Sequence, residues 1–263
     1  FDQIISRYKK RGTDIVDLLE ALLTYRHTEN QSTTRASEWI NRPDVLEEFD
    51  LSSFEERTLF RVLETIGDNY EESIHLIQNS IFSLYEFPHT DINLDWTSFV
   101  LWGTKAELGA YGYSRAHRPD KKQITVGISQ LREPMNIPVG LTVQHGNTND
   151  QTHFQKTFLQ ICDKLKPNSL AVFDKGAKSE KNTDLVLAHK MKYLSAKKLN
   201  SSDDKRIKNF VKSAENCVDP VQGVYGEIIQ YPSRTDYFFF SEQLQRDQIE
   251  AKLRLAERKL AEA

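Results

Sequence analysis

The sequence predicts an α/β protein in which a mixed sheet follows a small all-helical N-terminal domain. Up to about residue 88, apolar residues recur at helical spacing and no strand pattern interrupts them. Three strand-like runs then follow with short links, and two later strand-like runs each come after a helical stretch. After the helical domain, the predicted order of elements is therefore β-β-β-α-β-α-β.

The predicted N-terminal domain contains several helices. The apolar repeat between Ile15 and Leu23 predicts the first, and a second is expected from Arg35 to Ile40. The segment Ser53–Glu56 has the pattern of a capping box and predicts the start of a third helix. A further helix is expected from Glu71 to Leu84.

The predicted sheet begins with three strands, Thr90–Gly103, Gln123–Leu131 and Ile137–Gly146. The second and third are joined by a link of hairpin length, which favours an antiparallel meander. A helix from about Gln151 to Leu165 then leads to a fourth strand, Ser169–Phe173. Because a helical crossover returns the chain in the same direction, the fourth strand should run parallel to the first.

The last part of the chain repeats this pattern and then becomes more polar. A helix from about Lys181 to Met191 precedes a fifth strand, Tyr193–Ala196, which should also be parallel to the first. Residues 200–216 are polar and predict a loop, and 221–231 and 237–240 predict two further strands. The segment Ser241–Ala263 predicts a charged, solvated amphipathic helix.

Charge and hydropathy limit the classes of partner. The net charge is −3, but 40–91 holds 3 Lys/Arg against 12 Asp/Glu, whereas 171–212 holds 11 against 5. That asymmetry fits a basic face for a phosphate backbone, or a lysine-rich surface that only maintains solubility. No apolar stretch approaches the roughly 20 residues that span a bilayer, so no membrane partner is expected. The two cysteines lack metal-ligand spacing and predict reduced thiols in a cytoplasmic protein.

Three parts of the chain are expected: a helical domain over 1–88, the sheet with its helices over 89–220, and a further region over 221–263 that ends in a charged helix. The chain begins with Phe1 rather than Met, and its last helix has no C-cap signal. We therefore expect a fragment or a processed product.

Two carboxylates stand at unusual places in the predicted sheet. Asp95 lies in the middle of the first strand, and Asp174 directly follows the fourth. If these strands are neighbours, the two carboxylates meet, and their repulsion requires a divalent cation such as Mg²⁺. Such a pair next to a basic surface indicates phosphoryl transfer on nucleic acid. The alternatives are turn chemistry for Asp174, a Thr97 or backbone partner for Asp95, and Asp91 as the ligand instead.

The segment between the first two strands is rich in cations and aromatic rings. Its candidate DNA-binding residues are Arg115, His117, Arg118, Lys121 and Lys122, with Tyr111 and Tyr113 beside them. This mixture suits phosphate contact and base stacking, although an exposed polar loop is the simpler alternative. Lys175 and Lys178, close to Asp174, are further candidate phosphate contacts.

The succession DWTSF, GYSRAHRPDKKQITVGI, IPVGLTVQHGNTND and LAVFDKGAKSEKN resembles the DDE transposases of bacterial and archaeal insertion sequences. The resemblance is closest to the branch whose ribonuclease-H-like core is interrupted by a β-rich insertion, and the helical stretch Ala36–Glu64 fits it too. The match spans about Leu18 to Leu199. It implies a ribonuclease-H-like sheet, with the insertion beginning at about Val221.

The resemblance also implies the site residues. Asp95 and Asp174 match the first two catalytic acids and would ligate Mg²⁺ or Mn²⁺, with a two-ion site when the third acid is present. That acid is a Glu on a helix after the insertion, in a motif with Tyr, Arg and Lys. Glu242, Glu250 and Glu257 lie on the last predicted helix, but their surroundings do not match the motif. We therefore expect the chain to end before the catalytic Glu.

The activity implied is Mg-dependent DNA cleavage and strand transfer, that is, transposition of an insertion sequence by DNA recombination. Its partners would be the transposon ends and target DNA, bound by a homodimer in the prokaryotic cytoplasm. The helical domain would read the ends, or make dimer contacts given its acidic balance. Two alternatives remain: a ribonuclease-H-like nuclease without strand transfer, and a non-catalytic DNA-binding remnant.

Overall fold

The first part of the fold consists of helices. The computed structural model describes residues 14–103, 105–197 and 199–261. The helices before the sheet are α1 (Ile15–Thr28), α2 (Thr33–Ile40), α3 (Pro43–Glu48), α4 (Glu56–Asp68) and α5 (Tyr70–Leu84). Apolar residues of α1, α2 and α4 form one hydrophobic cluster, whose most buried members include Leu18, Ala36, Ile40 and Leu59. The helical character predicted from the apolar repeats is therefore confirmed over these described residues.

The predicted capping box at Ser53 is wrong. α4 begins at Glu56, and its N-cap residue Glu55 makes no side-chain capping hydrogen bond. The Ser53 hydroxyl instead donates to the side-chain oxygen of Asn41, at 3.1 Å, and the backbone N–H of Phe54 donates to the same oxygen at 3.0 Å. The Ser53 hydroxyl therefore bonds to a residue distant in sequence and not to the helix for which the local pattern predicted it as a cap.

A five-stranded mixed sheet follows the helices. Its strands are β1 (Ile92–Val100), β2 (Gln123–Leu131), β3 (Ile137–His145), β4 (Leu170–Phe173) and β5 (Lys192–Ser195), in the spatial order β3-β2-β1-β4-β5. β1, β2 and β3 are antiparallel neighbours, whereas β4 runs parallel to β1, and β5 runs parallel to β4. The predicted mixed α/β class is confirmed, and this sheet is compatible with a ribonuclease-H-like fold.

Two helices supply the crossovers and cover the sheet. α6 spans Asp150–Leu159 and α7 spans Glu180–Ala188. α6 is shorter than predicted, because a short 3-10 turn at Cys162–Lys164 replaces its expected last turn. Phe154 and Phe158 of α6 are fully buried, and the Phe154 ring lies 5.7 Å from that of Trp96 on β1. This aromatic layer fixes the sheet beneath the candidate site.

A buried polar network lies within the same layer. The Trp96 indole N–H donates to the Thr157 hydroxyl at 3.0 Å, and Thr157 and Thr142 share a hydrogen bond of 2.8 Å. The imidazole of His153 meets the Thr142 hydroxyl at 2.9 Å through Nε2 and the Thr125 hydroxyl at 3.2 Å through Nδ1. Because these groups are buried, each one depends on its hydrogen-bond partners.

The network makes stability depend on pH. Burial, together with the charge of Lys156, lowers the pKa of His153 to about 4, whereas an unfolded histidine titrates near 6.5. The unfolded chain therefore binds the extra proton first, and this stabilising contribution is lost as the pH falls from 6.5 to 4. We expect the free energy of unfolding to fall by up to about 3 kcal/mol over that window through His153 alone.

Urea titrations at pH 7 and pH 4.5 measure this effect. His153→Gln should show less pH dependence than the wild-type chain, and His75→Gln, at an exposed position, should match the wild type. Equal pH dependence in all three proteins would contradict the assignment.

The described residues after Lys197 form a second compact unit. It contains α8 (Ser201–Asn209), a three-stranded sheet of β6 (Cys217–Asp219), β7 (Val224–Gln230) and β8 (Thr235–Ser241), and α9 (Glu242–Ala261). The predicted strands and final helix are present, but the loop predicted for 200–216 is wrong. Asn200 and Asp203 exchange side-chain-to-backbone hydrogen bonds of 3.2 and 2.9 Å, which begin α8.

The division into domains at residues 88 and 220 stays a prediction; the first compact unit ends at Lys197. None of the helices in the described ranges combines the length and hydrophobicity that a bilayer crossing requires.

Candidate active site

Asp95 and Asp174 occupy corresponding positions on two neighbouring parallel strands. The paired register of β1 and β4 ends at Leu94 and Phe173, so the next residues along the two strands are Asp95 and Asp174. Leu94 and Trp96 are buried, whereas Asp95 between them is exposed, as the alternation of side chains in a strand requires. The exposed Asp174 directly follows β4. The sheet thus places the two predicted carboxylates side by side in sequence register.

Both carboxylates also make local hydrogen bonds. The Asp95 Oδ1 accepts from the backbone N–H of Trp96 at 2.8 Å. The Asp174 Oδ1 accepts from the N–H groups of Gly176 and Ala177, at 3.0 and 3.1 Å, so this residue also shapes the turn after β4. The turn bonds engage Oδ1 alone, so a turn role and a ligand role for Asp174 are compatible.

Asp91, the competing candidate, has a structural function. Its Oδ1 accepts from the backbone N–H of Leu170 at 2.8 Å, and its carbonyl oxygen accepts from Arg132. The first bond joins the start of β1 to the start of β4, and the second joins it to the residue after β2, so Asp91 lies at the opposite end of the strands from Asp174.

Asp150 brings a third carboxylate to this place, which the sequence analysis missed. It is the first residue of α6, while Asn149 caps the helix by accepting from the Thr152 N–H at 2.9 Å. A Cβ atom placed on Gly176 would lie 2.9 Å from Asp150 Oδ2 and 3.2 Å from each carboxylate oxygen of Asp174. The two carboxylates therefore converge on the bare backbone of Gly176, where a side chain would displace them.

The pKa of Asp150 depends on the charges of the other two acids. Burial raises its pKa, the negative charges of Asp174 and Asp95 raise it further, and the positive charge of Arg115 opposes them. The Asp150 carboxylate is therefore within electrostatic range of Asp174 and Asp95, and it is the only one of the three that is partly buried. A partly buried acid beside other charges is a candidate for a functional site.

Arg115 lies against these acids. Its guanidinium donates to Asp150 Oδ2 at 2.6 Å and also to the backbone carbonyl oxygen of Trp96, the residue after Asp95. Arg115 thereby ties the segment between β1 and β2 to both β1 and α6. The sequence analysis predicted a DNA contact for Arg115, and that role stays a prediction; the structure gives it a position among the carboxylates.

Replacing Arg115 by glutamine is expected to lower the free energy of unfolding by about 1–2 kcal/mol. The change leaves the partly buried carboxylate of Asp150 without its cation. The expected loss is smaller than for a fully buried ion pair, because the Arg115 side chain is 39% exposed and solvent screens its charge. Chemical denaturation measures the loss. Arg35→Gln is the matched control, since its pair with Glu38 is 65% and 58% exposed and should contribute less than about 0.5 kcal/mol. Equal losses in the two variants would show that the pair of Arg115 with Asp150 stabilises the fold no more than an exposed surface pair does.

The other predicted DNA-binding residues of this segment make local contacts of their own. Arg118 forms a two-point ion pair with Asp120 at 2.8 and 2.7 Å, and Arg118 and Lys121 both contact the ring of Trp102. His117 has a positive φ of 55° in the same turn. Lys122 extends the β1–β2 ladder, since its carbonyl oxygen accepts from Leu101.

Two further lysines follow Asp174. Lys175 is exposed, and the carbonyl oxygen of Lys178 accepts from the Gln151 side chain at 3.2 Å. Contacts of all these cations with DNA stay predictions.

A second cluster of metal-ligand types lies elsewhere among the described residues. One ligand atom each from Cys162, Asp163 and His189 lies within 4.8 Å of the others. Burial, with the neighbouring charge of Asp163, raises the pKa of the Cys162 thiol to about 11, and the thiol donates to the Leu159 carbonyl oxygen at 3.8 Å. The His189 ring also packs edge-on against Phe158, with the ring centroids 5.3 Å apart, so two of these residues have structural contacts. Both cysteines are free, as predicted.

Among solved structures, the chain is similar to two transposase complexes. One is a cryo-EM structure of the piggyBac transposase synaptic complex with hairpin DNA, at 13% sequence identity and a TM-score of 0.43, covering 91% of this chain and 56% of that chain. The other is the Mos1 transposase paired-end complex with the left transposon end, at 11% identity and a TM-score of 0.29, covering 71% of this chain and 61% of that chain. The chain thus spans less than two thirds of either. No protein-family model and no curated protein matches the sequence.

Proposed function

We propose that this chain carries the metal-binding part of a DDE transposase and acts in DNA transposition. The observation that carries the proposal is the register of β1 and β4, which sets Asp95 and Asp174 at the same level on neighbouring parallel strands. The resemblance of four sequence segments, in order and spacing, to the transposases of insertion sequences supports it.

The residues at the site fit a hard divalent cation. Carboxylate oxygens are the ligands that Mg²⁺ and Mn²⁺ prefer, and Asp95 and Asp174 would supply them. When bound, such ions activate a water or a 3′-hydroxyl and stabilise the charge that develops on the phosphodiester. The carboxylates of Asp150 and Asp174 approach Gly176 so closely that only a hydrogen atom fits in place of a side chain there.

The other residues of the site would position this machinery. Arg115 holds the carboxylate of Asp150 in its charged form and fixes the carbonyl of Trp96, so that the backbone beside Asp95 has a defined orientation. Asp174 keeps its turn through Oδ1, which orients the carboxylate. The third acid of the family is proposed to be a Glu outside the 263 residues.

The partners proposed are the transposon ends and a target DNA, bound by a homodimer. Lys121, Lys122, Lys175 and Lys178 would contribute the salt-dependent contacts to phosphates. A prokaryotic insertion sequence as the source of the chain, and Mg²⁺ as the physiological ion, belong to the same proposal.

A strand-transfer assay tests the proposed function. Labelled fragments of the genomic DNA on either side of the reading frame are incubated with a supercoiled plasmid, Mg²⁺ or Mn²⁺, and the protein extended to include the proposed third acid. We expect metal-dependent covalent joining of label to the plasmid. Metal-dependent nicking without joining would instead support a nuclease, and DNA binding that is unaffected by metal, with neither reaction, would support a non-catalytic remnant.

A further inference from the structure

Trp102 is an aromatic residue that the hydrophobic clusters of the described chain do not use. It lies two residues after the end of β1 and is 75% exposed, although an indole is among the side chains that gain most from burial. The neighbouring Tyr113 and Tyr111 are 85% and 61% exposed. Three large aromatic rings are therefore presented to solvent by the single segment that joins β1 to β2.

Two cations lie against the Trp102 ring. The guanidinium carbon of Arg118 is 5.0 Å from the ring centroid, and the Lys121 ammonium nitrogen is 5.1 Å from it. Both distances are within the range of a cation–π interaction. The Arg118 guanidinium donates two hydrogen bonds to the Asp120 carboxylate, which fix its orientation. The result is a largely exposed indole ring with two cations over it.

The segment that carries these groups is folded tightly. Ser114 accepts from the backbone N–H groups of His117, through its carbonyl oxygen at 3.1 Å, and of Arg118, through its hydroxyl at 3.0 Å. The buried amide of Gln123 donates to the carbonyl oxygens of Tyr113 and Gly146, at 2.8 and 2.9 Å. The backbone that carries Tyr113 and Arg118 is thus held by hydrogen bonds, which lowers the entropy lost when a ligand binds to these residues.

The chemistry of this surface fits unpaired nucleotides. Aromatic faces stack on bases, and bases expose their faces only where the strand is single, since in a duplex they stack on one another. The two cations over the ring would contact phosphates of the strand whose base stacks on the uncovered part of the indole. β1 separates Asp95 from Val100 by five residues, or about 17 Å, and Trp102 comes after the end of the strand, so a base stacked on Trp102 would belong to a nucleotide other than the reacting one.

We propose that Trp102, with Arg118 and Lys121, binds an unpaired stretch of DNA next to the carboxylate site. The proposal rests on the proposed function only in taking DNA as the partner. Stacking of one base on Trp102 supplies the affinity, and Arg118 and Lys121 supply the dependence on salt.

Fluorescence anisotropy of a labelled oligo-dT with the full chain tests this, in EDTA so that no cleavage is required. Trp102→Ala should weaken binding about tenfold while leaving the salt slope unchanged, and Trp102→Phe should retain most of the affinity. Lys121→Gln should lower the slope of log K against log salt by about 0.7. Tyr85→Ala, 58% exposed on another part of the chain, is the control and should bind as the wild type does.

Three further ligands make the outcome decisive. For an abasic single strand and for a duplex of the same length, Trp102→Ala and the wild type should bind equally, because neither ligand offers a free base. Unchanged dT binding by Trp102→Ala, or an equal loss on duplex, would overturn the proposal. A loss confined to oligo-rU would assign the surface to RNA and would likewise overturn it. Since these measurements exclude metal, their failure is separate from a failure of strand transfer.

Discussion

Asp174→Asn is expected to reduce metal-dependent DNA cleavage and joining by at least about 10³-fold. The substitution keeps a side-chain oxygen that can accept from the backbone N–H groups of Gly176 and Ala177, so the turn after β4 is retained. It removes the negative charge that a divalent cation requires. The variant therefore separates the turn role of this residue, which the structure shows, from the ligand role, which is proposed.

The strand-transfer assay measures the loss, and an electrophoretic mobility shift in EDTA checks that DNA binding is kept. Asp184→Asn, an exposed aspartate on α7, is the control and should react as the wild type does. If Asp174→Asn cleaves DNA at a rate within tenfold of the wild type, Asp174 does not have the proposed ligand role.

Gly127→Ala is expected to lower the free energy of unfolding by about 3 kcal/mol or more. A Cβ atom on Gly127 would lie 2.4 Å from the Thr157 hydroxyl, and 2.8 Å from both the Thr142 hydroxyl and the Trp96 indole nitrogen. All three atoms belong to the buried network beneath β1, and each is held by its hydrogen bonds to the others. The methyl group therefore overpacks the layer and also breaks polar pairs that cannot reach water.

Thermal and urea denaturation measure the change. Gly67→Ala is the matched control, because a Cβ at that position in α4 meets no atom within 4 Å and alanine favours a helix. Gly67→Ala should be neutral or stabilising. Similar unfolding midpoints for the two variants would contradict the packing described for the network.

The part of the site that follows from strand patterning was accessible from the sequence. An apolar run with a carboxylate at its end, and a helical crossover before it, were enough to predict that Asp174 lies beside Asp95. Both inferences depend on local patterns and on the handedness of crossovers, which hold for most folds. The mixed class of the sheet followed from the same reasoning.

Asp150 and Arg115 could not be placed in this way. Asp150 stands among several residues able to begin a helix, and its sequence position is explained without any further role. Only the structure shows that Asn149 makes the cap and leaves the Asp150 carboxylate to Arg115. Arg115 belongs to a long connection between strands, whose path depends on tertiary contacts such as those of Gln123.

The two wrong predictions of local structure, the capping box at Ser53 and the loop at 200–216, have the same origin. The Ser53 hydroxyl bonds to Asn41 rather than to its own helix, and this partner is not visible in a pattern of four residues. Residues 201–209 are polar enough to predict a loop, yet Asn200 and Asp203 provide the first-turn hydrogen bonds of α8. In both cases a side-chain hydrogen bond outweighs the average tendency of the segment.

Binding of Mn²⁺ to the purified chain, followed by the loss of the free-ion EPR signal, tests the central claim most directly, because it requires neither DNA nor the third acid. The account predicts that the wild-type chain binds Mn²⁺, that Asp95→Asn and Asp174→Asn each weaken binding at least about tenfold, and that Asp184→Asn binds as the wild type does. Wild-type affinity in the Asp95→Asn, Asp174→Asn double variant would contradict it.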